Sequence, residues 1–146
     1  MPTFTVSIDI LADSPRVFAA VSDLTTHGQW SANPLAISAV DPGRVRIGSR
    51  FYSSAMVRGI PFQADLIITE YDPPRVFAFS GADSTAKFTH HFSIQPGVGG
   101  ITHVARTVTL QTTFIQYLLF LARFRIIMLP SNREALDQLK AMIEKK

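Results

Sequence analysis

The sequence predicts an α+β domain in which a seven-stranded, curved antiparallel sheet wraps around one long C-terminal helix. Three observations predict this architecture. Seven runs have the length and the apolar–polar alternation of strands, turn-forming residues separate them, and the chain closes on a long apolar and then amphipathic stretch. A sheet with one apolar face and a single long helix bury their apolar surfaces most simply against each other.

The first predicted strand covers Thr3–Leu11, where apolar and polar residues alternate. Two short helices are expected to follow this strand. Ser14 is predicted to cap the first, with Pro15 at its first helical position, because these residue types favour those two places. Asp23 is predicted to cap the second, which runs toward Trp30.

After these helices the chain changes to strand-like runs separated by turn-forming pairs such as Asn33-Pro34 and Pro73-Pro74. Strands joined by short turns predict an antiparallel meander. The six predicted strands of this region cover residues 35–40, 48–57, 60–71, 75–80, 86–95 and 101–113.

The end of the chain is predicted to be helical. Residues 114–129 are mostly apolar but include two arginines, and at 16 residues they are shorter than the roughly 20 that a membrane span needs. Ser131 and Glu134 have the spacing of a capping box, which predicts that a helix restarts after Pro130 and ends near Ile143. The sequence does not decide whether Pro130 kinks one long helix or separates two helices.

Composition excludes several classes of protein. The 146 residues suit a single domain, which we expect over residues 1–146. The chain contains no cysteine, which excludes disulfides, thiolate metal sites and thiol nucleophiles. With 47% apolar residues the chain is not disordered. Its eleven phenylalanines suit either a very full core or an apolar cavity, and composition leaves both open.

Charge and the N-terminal sequence restrict location and partners. The start lacks the basic and apolar regions of a signal peptide, so we expect a cytoplasmic protein without a transmembrane segment. A net charge of +3, with no lysine–arginine run and no aromatic RNA-binding motif, predicts no nucleic-acid partner. Residues 44–58 and 87–133 carry basic side chains and no acid. These basic side chains form a solvated face, or they contact an anionic ligand or an acidic surface. Contact with the surface of a membrane is therefore one of the alternatives.

Strand parity places two polar side chains on the predicted inner face of the sheet. Along residues 60–68, 87–94 and 102–110 the even-numbered residues are mostly apolar, and the two with ionisable side chains are His90 and Arg106. Both inner faces are even-numbered, so the hairpin between them pairs residues whose numbers sum to about 196 or 198. The first register sets His90 directly opposite Arg106, and the second sets the two on a diagonal.

An arginine that points into an apolar interior needs a partner. Three interpretations of Arg106 stay open: hydration at the mouth of a cavity, bonds to His90 and backbone carbonyls, or an anionic or carbonyl-bearing ligand. His27 is interpreted as a surface turn residue, and no cofactor or metal site is predicted. His90 and Arg106 are weak candidates for catalysis, and the candidate ligand-binding residues are Trp30, Phe62, Leu66, Phe79, Phe88, His90, Phe92, Val104, Arg106 and Val108.

Three segments resemble one known superfamily. SIDILADSPRVFAAVSDLTTHGQW at the start, ITEYDPPRVFAFS in the middle and NREALDQLKAMIEKK at the end resemble the START/Bet v 1-like (SRPBCC) superfamily, in its polyketide cyclase/dehydrase-like branch. The resemblance covers essentially the whole chain and implies the helix-grip fold. Its opening pattern falls on Ala12, Pro15, Val17, Phe18, Asp23 and Trp30.

This superfamily changes ligand and activity freely, so the resemblance implies several functions. The first is binding of a small hydrophobic or amphipathic molecule, lipid-, quinone- or polyketide-like, in a cavity between sheet and helix. The alternative is a polyketide cyclase or aromatase, in which Arg106 stabilises charge and His90 moves a proton. A toxin-like or chaperone-like interaction protein is the second alternative. Monomer and homodimer both stay open.

Overall fold

The computed structural model describes residues 3–57, 59–83, 87–111 and 128–145. Seven strands form one antiparallel sheet in the order β1-β7-β6-β5-β4-β3-β2, so β1 lies beside β7 and every other pairing joins strands that follow one another. The predicted bounds agree with the observed ones within two residues. The strands are β1 (Thr3–Leu11), β2 (Leu35–Ala39), β3 (Arg50–Val57), β4 (Ile60–Asp72), β5 (Val76–Ala82), β6 (Lys87–Pro96) and β7 (Ile101–Gln111).

Two short helices follow β1, as predicted: α1 (Ser14–Ser22) and a 3₁₀ helix (Leu24–Gln29). The predicted cap of α1 is wrong by one residue. Asp13 is the N-cap, and its carboxylate accepts a hydrogen bond from the backbone N–H of Arg16 at 3.1 Å. The Ser14 hydroxyl lies inside the fold, 3.4 Å from the hydroxyl of Thr102. Asp23 caps the 3₁₀ helix as predicted, by accepting from the backbone N–H of Thr25.

The C-terminal helix α2 (Leu129–Glu144) ends one residue after the predicted Ile143. Its predicted start is wrong, because Ser131 lies inside the helix and no side chain caps its beginning. Pro130 lies in the first turn of α2, a position that proline favours. Residues 112–127 lie outside the described residues, and with them most of the helix predicted over 114–129 and the choice between a kinked and a divided helix.

The core lies between the inner face of the curved sheet and the helices, which is the helix-grip arrangement. Helix α2 buries Leu136, Leu139 and Ile143 and packs against β1. The guanidinium of Arg16 donates to the carbonyl of Ile143 at 2.6 Å, which joins the start of α1 to the end of α2. No helix in the described segments is long and apolar enough to cross a membrane.

The hairpin of β6 and β7 adopts the second of the two predicted registers. Phe92 pairs with Arg106 and His90 pairs with Val108, so the numbers sum to 198 and His90 lies on the diagonal from Arg106. The even-numbered face of these strands is the inner one, as the alternation predicts.

The tip of the β3–β4 hairpin exposes apolar side chains. Strand β4 begins pairing with β3 at Ile60, whereas its pairing with β5 begins only at Asp65. Phe62 shares the parity of the buried Leu66 but remains 38% exposed. Phe62 is the one exposed residue among the candidate ligand-binding residues.

Candidate functional site

Arg106 on β7 and His90 on β6 bond to each other on the inner face of the sheet. The Nε and Nη2 atoms of Arg106 both donate to Nδ1 of His90, at 3.1 and 2.9 Å. A guanidinium has only donors, so Nδ1 must be the acceptor and a neutral His90 carries its proton on Nε2. Arg106 is only 9% exposed, and the pair is a polar group inside an otherwise apolar layer.

Aromatic rings surround this pair. The Cζ atom of Arg106 lies 5.0 Å from the ring centroid of Phe92 and 5.7 Å from that of Trp30, which are cation–π distances. The His90 ring stacks on Phe79 with centroids 5.0 Å apart and meets Phe88 edge-on at 5.5 Å. A weakly hydrated guanidinium suits such a site better than an ammonium ion does.

His27 belongs to the same group, and its interpretation as a surface turn residue is wrong. It is 3% exposed, its Nε2 donates to the carbonyl of Val21 at 2.7 Å, and its ring centroid lies 4.5 Å from that of Trp30. A signal for this burial exists in the sequence, because residues three apart share a face of a 3₁₀ helix and Leu24 is apolar. We call His27, Trp30, His90, Phe92 and Arg106 the Arg106 cluster.

The cluster carries one positive charge at neutral pH. Burial lowers the pKa of Arg106 to about 9, which leaves the guanidinium protonated. Burial, opposed by the hydrogen bond to Val21 and reinforced by the charge of Arg106, lowers the pKa of His27 to about 3. Burial, the charge of Arg106 and His27 hold the pKa of His90 well below its ordinary value. Both imidazoles are therefore neutral beside a buried cation.

The positive charge of Arg106 has no Asp or Glu partner. All eleven Asp and Glu residues fall within the described segments, and none of them forms an ion pair with Arg106. The carboxylates that do form ion pairs lie on the surface, for example Asp41 with Arg50 at 2.8 Å. A buried charge without a counter-ion is costly, so the fold retains Arg106 against a substantial desolvation penalty.

Trp30 adds a second unsatisfied group to the cluster. Its side chain is 1% exposed, and its indole Nε1 has no hydrogen-bond partner among the residues that the structure describes. An indole N–H can only donate, and leaving it unpaired inside a protein costs about 1–3 kcal/mol.

The inner face becomes progressively more enclosed from the tip of the β3–β4 hairpin toward the cluster. Phe62 is exposed, Phe88 and His90 are half-buried, and Phe79 and Phe92 are buried. The remaining candidates, Leu66, Val104 and Val108, are buried in the sheet. The structure thus brings Trp30, Phe79, His90, Phe92 and Arg106 together, sets Phe88 beside them and places Phe62 at the far end of this path.

The outer-face histidines do not extend the site. His91 lies 3.4 Å from Glu70 and His103 lies 2.7 Å from Asp9, both on the opposite face of the sheet. Within the described segments, no group of three or more His, Cys, Asp or Glu residues could hold a metal ion.

The fold is shared with proteins of known structure. TTHA0849 from Thermus thermophilus superposes with a TM-score of 0.81 at 18% identity, over 99% of this chain and 98% of that one. The Zhui aromatase/cyclase from Streptomyces sp. R1128 gives a TM-score of 0.81 at 9% identity, over 99% and 94% of the two chains. The di-domain aromatase/cyclase BexL gives 0.78 at 18% identity, over 99% of this chain and 47% of that one.

These identities are low, so the three structures are evidence for the fold alone. No curated protein shows significant similarity to this chain. The model of one family, described as "Polyketide cyclase / dehydrase and lipid transport", matches residues 1–144, which is nearly the whole sequence. That match agrees with the helix-grip topology and with a polar group enclosed among aromatic rings, and this chain therefore belongs to the polyketide cyclase/dehydrase and lipid-transport family.

Proposed function

We propose that this chain binds a small hydrophobic or amphipathic molecule, lipid-, quinone- or polyketide-like, between the inner face of its sheet and the C-terminal helix. The observation that carries the proposal is the half-buried state of Phe88 and His90, directly beside the buried Phe79 and Phe92. Apolar surface that stays accessible next to a core is typical of ligand pockets, which are mostly apolar with a few placed polar groups.

The family supports the same class of function, since its description joins polyketide cyclisation and lipid transport, and both concern polyketide- or lipid-like molecules. The exposed tip of the β3–β4 hairpin, with Ile60 and Phe62 on the inner-face parity, supplies an apolar path toward the Arg106 cluster. We also propose, as the sequence predicts, that the protein is cytoplasmic and is a monomer or a homodimer.

A pair of neighbouring residues on β4 provides the test. Leu66 is buried on the inner face next to Phe88, whereas Ile67 is 43% exposed on the outer face. The neutral dye N-phenyl-1-naphthylamine is titrated into the protein and into the Leu66→Trp and Ile67→Trp variants. We expect wild-type protein and Ile67→Trp to bind the dye alike, and Leu66→Trp to lose about tenfold or more in affinity, because its indole fills the proposed pocket.

Equal dye affinity of all three proteins, or no dye binding by the wild type, contradicts the proposal. Urea unfolding of each variant shows whether Leu66→Trp is still folded. If it is not, Leu66→Phe introduces a smaller obstruction and is compared with Ile67→Phe. Native mass spectrometry of protein purified from its host then identifies the molecule that the pocket carries.

A second candidate is an aromatase/cyclase-type reaction, and the hydrogen bond between Arg106 and His90 favours it. The bond keeps a neutral imidazole in one tautomer, with its N–H on Nε2, beside a buried cation. Such a pair suits an enolate oxygen on Arg106 and a proton transfer at His90. The toxin-like or chaperone-like alternative gains no specific support from the described residues.

The enzymatic candidate is tested with a poly-β-ketone substrate and detection of aromatic products by mass spectrometry. Activity in the wild type that is lost in both Arg106→Met and His90→Phe supports it. Products that form at the same rate with and without the protein argue against it.

A further inference from the structure

We propose, as an extension that rests on the proposed function, that the bound molecule ends in a carboxylate held jointly by the indole N–H of Trp30 and the guanidinium of Arg106. The carboxylate lies at the enclosed end of the inner face, and the apolar body of the molecule extends toward Phe88 and the β3–β4 hairpin.

The first step of the argument is the unpaired donor. Nε1 of Trp30 is buried, has no partner in the described part of the chain, and cannot act as an acceptor. An oxygen of the ligand is what satisfies it. An apolar ligand would leave this N–H without an acceptor, whereas a carboxylate, an alcohol or a carbonyl would accept its hydrogen bond.

The second step is the uncompensated charge. Arg106 bonds to a neutral histidine, and every acidic residue of the chain is placed in the structure without an ion pair to it. His27 and His90, the other titratable groups of the cluster, are neutral because burial lowers the pKa of each. A carboxylate therefore meets one full positive charge there, and an alcohol does not neutralise it.

The third step is proximity. The Cζ atom of Arg106 lies 5.7 Å from the centroid of the indole ring, so the guanidinium and the indole are neighbours, and we infer that one carboxylate bridges them. A guanidinium presents five N–H groups, of which His90 occupies one on Nε and one on Nη2. The planar fork suits bidentate contact with a carboxylate better than a lysine would.

The experiment exploits the fact that Trp30 is the one tryptophan of the chain. In a ¹H–¹⁵N spectrum the indole N–H of the labelled protein therefore gives a single, assigned signal. The probes are 4-butylbenzoate and 4-butylbenzyl alcohol, which share one apolar body and differ in the polar end. We expect the benzoate to move the indole proton downfield and to bind about ten- to a hundredfold more tightly, as a charge-assisted bond does.

Two variants show whether the preference arises at Arg106. Arg106→Met removes the buried charge, and Arg75→Met removes an exposed arginine that pairs with Asp72 on the surface. The two substitutions change the net charge equally. We expect Arg106→Met to bind benzoate and alcohol alike, while Arg75→Met keeps the wild-type preference. The indole shift in wild-type protein needs no variant, so it still tests the contact of the carboxylate with Trp30 if Arg106→Met does not fold.

Equal affinity of the wild type for the two probes, without a downfield indole shift on adding benzoate, overturns the carboxylate site and leaves the proposed function intact. Failure of both probes and of N-phenyl-1-naphthylamine to bind overturns the proposed function and the carboxylate site together. A preference for benzoate that Arg75→Met loses and Arg106→Met keeps also overturns the site, because surface charge then accounts for it.

Discussion

The Nε and Nη2 atoms of Arg106 both donate to Nδ1 of His90, at 3.1 and 2.9 Å. Both side chains come from the inner, otherwise apolar face of adjacent strands. A cation that bonds to an imidazole rather than to a carboxylate keeps its full charge, and it also keeps the imidazole neutral. These two consequences are separately measurable.

The first prediction concerns the pKa of His90. Replacing Arg106 by Met removes the neighbouring charge that helps to lower this pKa, so the pKa of His90 rises. Burial is the larger cause and remains, so the pKa stays below the ordinary value for histidine. A ¹H–¹⁵N titration of the imidazole resonances measures it in both proteins.

The same variant tests whether Arg106 is needed for folding. We expect Arg106→Met to fold with equal or greater stability, since an apolar side chain of similar length replaces a buried unpaired charge. Loss of folding would show that Arg106 is structural. An unchanged pKa of His90 in a folded variant would contradict the electrostatic coupling of the pair.

Acid should destabilise the protein through His27. Its folded-state pKa is about 3, against an ordinary value of 6.5, so between these pH values the unfolded chain takes up a proton that the native protein does not. The free energy of unfolding is therefore highest above pH 6.5 and decreases as the pH falls toward 3, by up to about 1.4 kcal/mol per pH unit for each such histidine. The shift of His90 has the same sign.

Urea unfolding at pH 7.5, 6, 5 and 4 measures this dependence. In His27→Phe the dependence on pH is weaker, because one of the two shifted histidines is gone. The variant is also less stable at pH 7.5, by about 1–3 kcal/mol, since the carbonyl of Val21 loses its buried donor. A His27→Phe variant with the wild-type pH dependence would show that His27 is not the group that titrates.

The polar pair could be predicted from the sequence because strand alternation is a local property. Even-numbered residues of β6 and β7 face inward throughout, so a polar residue at an even position is visible as an exception. The turn between Pro96 and Ile101 then restricts the register to two choices, and both of them bring His90 within reach of Arg106.

Other parts of the site depend on relationships that the local sequence does not contain. The spacing of Leu24 and His27 indicates a shared face of a 3₁₀ helix, but the contact of His27 with Trp30 depends on how that helix packs. The exposure of Phe62 depends on which segments lie beside the tip of the β3–β4 hairpin, and strand parity alone does not give this. The unpaired Nε1 of Trp30 depends on every group that packs around it.

The N-terminus of α1 gives a prediction about stability. Asp13 accepts a hydrogen bond from the backbone N–H of Arg16, so Asp13→Ala should destabilise the protein by about 1 kcal/mol. Ser14→Ala should cost less, because the Ser14 hydroxyl is 3.4 Å from that of Thr102, which itself donates to the carbonyl of Ala12 at 2.6 Å. Urea unfolding ranks the stabilities of the two variants. A greater loss of stability for Ser14→Ala would indicate that Ser14, and not Asp13, caps α1.

Gly81 on β5 leaves room for the ring of Phe88 on the inner face of the sheet. A Cβ atom at Gly81 would lie 2.3 Å from Cζ of Phe88 and 2.7 Å from Cδ2 of Leu66, so Gly81→Ala forces the ring or the strand to move. We expect a loss of about 1–3 kcal/mol in stability, as for other overpacked sites.

The displaced ring should also change ligand affinity, because Phe88 is half-buried beside His90 on the path to Arg106. Phe88→Leu provides the matched background, since the smaller side chain leaves room for the added methyl group. Gly81→Ala should therefore cost distinctly less stability in Phe88→Leu than in the wild type, and a double-mutant cycle by urea unfolding measures this coupling. Equal costs in the two backgrounds would mean that the clash with Leu66, rather than with Phe88, determines the effect.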